Sequence, residues 1–250
     1  MTMKKTLISF FLILICSLSA VSKDTETLNY VISYKWGIIH KEAGDATITL
    51  KPEGKGYEIK LTGKTKPWAD RIYKMRDTLI SRVGKENFLP EQYTRIAHEK
   101  GRYSLDNIYF DRSGAVTKGT GTKYREKNGD SSVKEISLEG KDPVYDILSS
   151  LYFIRNIDFT SLKPGETVKA SVFSGDKSES LTVSCKGKER IKLKDKSEAD
   201  AWHVTFKFTT GGGKKSSDDI DCWISEDSSR IPLLVVGSLP VGQVRCTYIP

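Results

Sequence analysis

Apolar and polar residues alternate one by one along most of this chain, and that rhythm constrains the fold more than any other feature. Leu28, Tyr30, Ile32 and Tyr34 point one way while Asn29, Ser33 and Lys35 point the other. Ile48 and Leu50 continue the pattern, as do Tyr57, Ile59 and Leu61. Trp202, Val204, Phe206 and Phe208 give the clearest run, with His203, Thr205, Lys207 and Thr209 opposite. A period of two with one polar face describes half-buried strands, because successive side chains leave a strand on opposite sides. Turn residues interrupt it at short intervals: Pro52-Glu53-Gly54, Ser113-Gly114, Asn128-Gly129-Asp130, Ser174-Gly175-Asp176 and Gly211-Gly212-Gly213. Asn128-Gly129 is a strong hairpin signal, since both residues tolerate the positive φ of a tight turn. The pattern gives about a dozen strands, nearly all hairpin-linked and therefore antiparallel.

One segment departs from the rhythm. Asp142 can cap a helix and Pro143 suits its first turn. Val144, Ile147, Leu148, Leu151 and Tyr152 then fall at helical spacing and make one apolar stripe. Arg155 sits in the last turn, where a cation suits the dipole and can anchor the helix to the sheet; Asn156 is a stop. The expected fold is mostly β: a curved antiparallel sheet, a half-barrel or open barrel, with one covering α-helix near 142–155. Such a helix would bury the concave apolar face of the sheet. It divides the chain into β halves near 24–140 and 157–250. The lack of a flexible linker favours one compact unit over 23–250.

The first 22 residues stand apart. Lys4 and Lys5 precede an apolar run from Leu7 to Ile15, followed by the small-residue stretch Ser17-Leu18-Ser19-Ala20-Val21-Ser22. That order is a secretory signal peptide, expected to be cut between Ser19 and Lys23. The run is shorter than the roughly 20 residues that span a bilayer, and no later stretch is long enough, so no transmembrane segment is expected. Bulky Leu14 and Ile15 before Cys16 argue against lipid attachment there. The expected address is the periplasm, reached through a cleaved leader. Removing Lys4 and Lys5 takes 40 basic residues to 38, against 32 acidic ones. This mild, well-mixed excess is unlike the clustered basic charge of a nucleic-acid binder, and no nucleic-acid partner is expected.

Candidate chemistry is sparse. Cys185, Cys222 and Cys246 share parity with apolar neighbours and read as small buried hydrophobes. A Cys222–Cys246 disulfide is the alternative, provided their strands are neighbours. His40, His98 and His203 form no metal-ligand spacing, no Cys-x-x-Cys occurs, and neither a metal nor another cofactor is called for. The Gly-x-Ser-x-Gly nucleophile elbow is absent, so no catalytic residue is assigned. Gly211-Gly212-Gly213-Lys214-Lys215-Ser216 lacks the earlier glycine of a phosphate loop and reads as a hairpin tip.

Asp227-Ser228-Ser229-Arg230 before Pro232 reads as a tight turn after Trp223, with Asp227 capping it and Arg230 able to pair back to an acid. Asp142, Asp146 and Arg155 take structural roles around the helix. Arg190, Lys192 and Lys194 share one parity. They form either a cationic row that attracts an acidic ligand or a lysine-protected edge strand. Lys66-Pro67-Trp68-Ala69 interrupts the strands, which makes Trp68 the candidate rim of a ligand cavity, with the aromatic Tyr73 nearby.

The segment Asp142-Pro143-Val144-Tyr145-Asp146-Ile147-Leu148-Ser149-Ser150-Leu151-Tyr152-Phe153-Ile154-Arg155 resembles the helix motif of an uncharacterised exported family, domain of unknown function 3108. Leu28–Tyr34 with Ala43-Gly44-Asp45-Ala46 is similar to that family's opening hairpin, and Tyr73-Lys74-Met75-Arg76-Asp77 to a recurring strand. Trp223-Ile224-Ser225-Glu226-Asp227 with Arg230-Ile231-Pro232 resembles its late hairpin, and Pro240-Val241-Gly242 its closing turn. The resemblance implies a Gram-negative exported protein with a β-rich fold, loosely like the half-barrels of periplasmic lipid and lipoprotein carriers. It brings no catalytic residues. The expected function is non-enzymatic binding of a lipid or lipoprotein in a β cradle. The alternatives are a scaffold for another envelope protein and, behind it, an envelope hydrolase.

Overall fold

The computed structural model describes residues 25–210, 214–215, 217–239 and 242–250. The leader with Cys16, the Gly211–Gly213 tip and Pro240-Val241 lie outside the described residues. Eight successive hairpin strands open the fold: β1 (Glu26–Trp36), β2 (Ile39–Glu53), β3 (Gly56–Thr65), β4 (Met75–Gly84), β5 (Pro90–Glu99), β6 (Arg102–Asp111), β7 (Thr117–Lys127) and β8 (Asp130–Gly140). A short β9 (Val144–Asp146) and helix α2 (Ser149–Arg155) lead into the second half. There follow β10 (Thr167–Ser174), β11 (Lys177–Lys192), β12 (Glu198–Thr210), β13 (Lys214–Lys215), β14 (Ile220–Ser225), β15 (Pro232–Ser238) and β16 (Gln243–Ile249). Helix α1 (Pro67–Tyr73) bridges β3 and β4. No helix among the described residues is long and apolar enough to cross a membrane.

All strands belong to one sheet, ordered β8-β7-β6-β5-β4-β3-β2-β1-β16-β15-β14-β12-β11-β10-β9, with β13 beside β12. The first and last strands are neighbours in its middle: Tyr30 pairs with Tyr248 and Ile32 with Cys246. Asn128 and Gly129 take φ of 55° and 89° between β7 and β8, the positive values the turn requires. The sheet coils into a nearly closed barrel, and its inward residues are those of the alternating pattern. Leu28, Leu50, Ile59, Tyr93, Ile108 and Ile136 are buried in one cluster, and Leu181, Val183, Trp202, Val204, Cys222 and Ile224 in a second. Each fully buried aliphatic side chain contributes roughly 1.5–3 kcal/mol. Helix α2 lies between the clusters, giving Tyr152 to the first and Ile154 to the second.

The helix begins later than its sequence suggests. Val144–Asp146 instead form β9, parallel to β10, with Val144 opposite Ser171. The reason is hydrogen bonding across the seam. Asp142 accepts from the Thr117 hydroxyl of β7 and so is not a helix cap. The carbonyl of Pro143 accepts from Ser171 N–H, and Arg112 donates to the Val144 carbonyl at 3.1 Å. These partners hold the segment extended. The apolar residues at helical spacing are still turned inward: Val144, Leu148, Leu151 and Tyr152 join the first cluster and Ile147 packs on the second.

The seam where β8 meets β9 and β10 is closed by side chains. Phe173 of β10 lies against Gly119 and Gly140, where a Cβ would come within 2.6 Å and 3.0 Å of its ring. Phe110 stacks on the same ring at 5.4 Å. Asp176 accepts from Lys123 at 2.8 Å and Lys134 at 2.9 Å. Gly119→Ala will therefore cost about 1–3 kcal/mol by overpacking. Phe173→Leu in the same chain will restore part of that, as read by urea unfolding; equal stability of Gly119→Ala and wild type would contradict this closure.

Cys185, Cys222 and Cys246 are free thiols. Val235 of β15 pairs with both Cys222 and Cys246. The two cysteines thus stand about two strand spacings apart, ~9.6 Å, beyond the roughly 7 Å that a disulfide can span. Burial pushes the Cys222 thiol up to about 12 and Cys246 to about 11, which keeps both protonated.

Candidate ligand-binding cleft

A cleft of about 940 Å³ opens beside α2, between the β4–β5 turn and the β14–β15 turn. Its floor is a ladder of three rings. Tyr57 faces inward from β3, as its parity demands, and Tyr152 projects from α2. Phe88 lies between them, 5.6 Å from Tyr57 and 5.3 Å from Tyr152, with interplanar angles of 3° and 6°. Phe88 reaches this place through a left-handed backbone, φ 54°. A non-glycine residue there carries about 1–3 kcal/mol of strain. Its turn holds it by Phe88 N–H to the Gly84 carbonyl, Gly84 N–H to the Leu89 carbonyl and Leu89 N–H to Asn87 Oδ1. A second aromatic pair, Tyr145 and Phe153 at 4.9 Å, lines the wall.

The opposite lip is basic and is fixed from below by Arg155. This guanidinium donates to both carboxylate oxygens of Glu26 at 2.7 and 2.8 Å, to the Ser229 carbonyl at 2.8 Å and to the Arg230 carbonyl at 2.9 Å. One side chain thereby ties α2 to β1 and to the β14–β15 turn. Asp227 shapes that turn by accepting from Ser229 N–H at 2.9 Å and from the Ser225 hydroxyl at 3.0 Å. Arg230, φ 48°, places its guanidinium 6.0 Å over the Phe159 ring. It pairs with no acid among the described residues, and its Nη1 is buried without a hydrogen-bond partner. Lys85 on the facing turn adds a second cation at the rim, where Glu86 and Asp158 also line the cleft, so Arg230 and Lys85 stand over an aromatic floor in a mixed-charge setting. Such a surface suits a ligand with an apolar body and an acceptor or anionic head.

The other residues singled out by the sequence lie elsewhere. Trp68 is half-buried in α1, donating to the Glu42 carbonyl at 2.7 Å beneath Lys41, and does not line this cleft. Tyr73 is exposed at the end of α1 and donates to Glu99 at 3.2 Å. Arg190 is neutralised by Asp200 of β12 at 2.9 and 3.0 Å, Lys192 faces Glu198 across the ladder, and Lys194 pairs with Glu42. The row of cations is therefore matched by acids rather than open. Trp223 donates to Glu189 at 2.8 Å and stacks on His203 at 4.4 Å, with Glu189 and Asp221 at the two ring nitrogens of that histidine. Asp146 is fully buried and belongs to the support of α2. Among the described residues no group of three or more His, Cys, Asp or Glu side chains is placed to hold a metal ion. Phe88 escaped the sequence reading, since nothing in Lys85-Glu86-Asn87-Phe88-Leu89 marks an inward aromatic; Tyr57 and Tyr152 were both on predicted inward faces.

The fold has a solved counterpart. A crystal structure of a β-barrel-like protein of domain of unknown function DUF1849 from Brucella abortus superposes with a TM-score of 0.60 at 9% sequence identity, covering 89% of this chain and 94% of that one. At that identity the likeness concerns the fold alone. A search of the curated proteins finds no match to the sequence. The family model described as protein of unknown function, DUF3108, matches residues 29–247, and the chain belongs to that family.

Proposed function

We propose that this protein binds an amphipathic molecule of the cell envelope, a lipid or the acylated end of a lipoprotein, in the cleft beside α2. In this reading it is an exported, non-enzymatic protein working in the periplasm, delivered there by its leader. The observation that carries it is the Tyr57–Phe88–Tyr152 ladder, open to a cleft of about 940 Å³ and overhung by the unpartnered Arg230 Nη1. Ligand pockets of this kind combine apolar and aromatic walls with a few aimed polar groups, over volumes of roughly 300–1,000 Å³. The strained Phe88 backbone supports the same reading, because such strain gathers at ligand clamps. The alternative, a scaffold that adds a partner's strand to a sheet edge, fits less well. The two edges, β8 and β9–β10, face each other across a seam bridged by Phe173 and Asp176.

Titration with palmitoyl-lysophosphatidylglycerol, followed by intrinsic tyrosine and tryptophan fluorescence, tests the reading. Phe88→Ala should weaken binding about tenfold, the 1.4 kcal/mol expected for losing a stacked ring. Arg230→Gln should weaken the anionic ligand while leaving palmitoyl alcohol unchanged. Saturable binding untouched by either substitution, or none by the wild type, would refute it.

A further inference from the structure

Exposed apolar side chains are gathered at one end of the sheet. The β1–β2 hairpin tip carries Trp36, 55% exposed, and the fully exposed Ile38. The β15–β16 turn lies beside it: Gln243 pairs with Lys35, Leu239 N–H donates to the Gly242 carbonyl, and Leu239 is 45% exposed. Helix α1 is fastened to the same end of β2, by Lys66 N–H to the Ala43 carbonyl and by Trp68 to the Glu42 carbonyl. It carries Ile72, 70% exposed, and Tyr73. These five are among the seven most exposed large apolar side chains of the described residues. Single exposed apolar residues are ordinary on a soluble protein, whereas a cluster on turn tips marks an interaction surface.

The charge around them identifies the partner. Lys35, Lys41, Arg71, Lys74, Lys100 and Arg102 are exposed on the same hairpin, helix and β5–β6 turn, and form no ion pair among the described residues. The nearby acids on β2, α1, β4 and β5 are already held: Glu42 by Lys66 and Lys194, Asp70 by Arg76, Asp77 and Glu99 by Arg95. The surface is therefore apolar at its tips and cationic around them. A second copy of this chain would meet it with like charge. A bilayer bearing anionic lipid offers both complements: acyl chains for the tips, and phosphates within reach of lysine and arginine stems.

We infer that this end of the barrel docks on anionic membrane surfaces, with Ile38 and Trp36 entering the headgroup–acyl boundary. The inference rests on residues separate from the cleft and holds whether or not the cleft takes a ligand. Vesicle flotation of the purified protein tests it. Wild type should float with phosphatidylethanolamine–phosphatidylglycerol vesicles in low salt, and lose that association in high salt and with phosphatidylcholine vesicles. Ile38→Asp should weaken it about tenfold, with an unchanged melting temperature because the side chain is fully exposed. Lys74→Gln with Lys100→Gln should weaken it on anionic vesicles only. Tyr109→Asp, an exposed apolar position at the opposite end of its strand, should have no effect. Absence of wild-type flotation, insensitivity to Ile38→Asp, or an equal loss from Tyr109→Asp would overturn the inference. So would a wild-type dimer, seen by sedimentation, that Ile38→Asp dissolves without any vesicle binding.

Discussion

Arg155→Ala will lower the unfolding free energy by about 3–5 kcal/mol, the cost of breaking a buried ion pair from one side. The Arg155 side chain is 4% exposed and that of Glu26 is 11%. The substitution leaves the Glu26 carboxylate without its guanidinium and takes a donor from the carbonyls of Ser229 and Arg230. It also removes the cation that lies 4.8 Å over the Tyr152 ring, which is part of the cleft floor. Arg155→Lys should fall between, since an ammonium cannot reproduce the two-pronged contact with Glu26. The double variant Arg155→Met with Glu26→Leu should recover most of the loss, because an apolar pair carries no unpaired charge. Urea unfolding of wild type, Arg155→Met, Glu26→Leu and the double variant closes the cycle and gives the coupling energy directly. A loss below about 1 kcal/mol, or additive single effects, would show that α2 is held by packing alone.

Asp146→Ala should cost 3 kcal/mol or more, because it strands three buried donors at once. The carboxylate accepts from the Ser81 hydroxyl at 2.5 Å, Leu148 N–H at 2.7 Å and Ser149 N–H at 2.8 Å. It therefore starts α2 and ties the helix to β4 in a single contact set. Burial pushes the acid up to about 6, although those hydrogen bonds pull the other way. The consequence has a definite sign. Unfolded aspartate titrates near 3.9, so between about pH 4 and pH 6 the folded protein keeps a proton that the unfolded chain has released. The stabilisation from this group is complete below pH 4, falls as pH rises to about 6 and is level above it. Asp146→Asn is neutral throughout, and its amide oxygen can still accept from the two backbone groups. Relative to wild type it should gain about 2–3 kcal/mol between pH 4 and pH 7. Asp77, also raised to about 6 by burial, is present in both proteins and cancels in the comparison. A stability difference independent of pH would contradict this account.

These two side chains also mark where the sequence was readable. Arg155 stood out because it closes an apolar stripe, and Asp146 as an acid within the same predicted helix. The stripe predicted inward burial correctly for Val144, Leu148 and Tyr152, although the first of these is in a strand. What local spacing could not contain were the long-range partners of this segment: the Thr117 hydroxyl of β7, which takes the Asp142 carboxylate, and Arg112 of the β6–β7 loop, which takes the Val144 carbonyl of β9. The inward faces of β1, β2, β3 and β12 were legible because a period of two fixes them whatever the topology. The cleft was only half legible. Tyr57 and Tyr152 followed from periodicity, but Phe88 enters through a positive φ that no turn signal announced. Trp68 drew attention as a break in the strand pattern, and the break is real: it is α1, packed on β2 rather than over the cleft. The Arg190, Lys192 and Lys194 row could be read in sequence as an open cationic face or a protected edge, because its acidic partners lie out of local view: Asp200 and Glu198 on the return strand and Glu42 on β2.

The most direct test of the account is native mass spectrometry of the full-length chain expressed in a Gram-negative host and purified gently, without detergent. The account predicts wild-type protein carrying one additional amphiphile mass, and Phe88→Ala protein from the same preparation stripped of it. Wild type and Phe88→Ala both at the bare chain mass would contradict the proposal that the cleft beside α2 is a binding site.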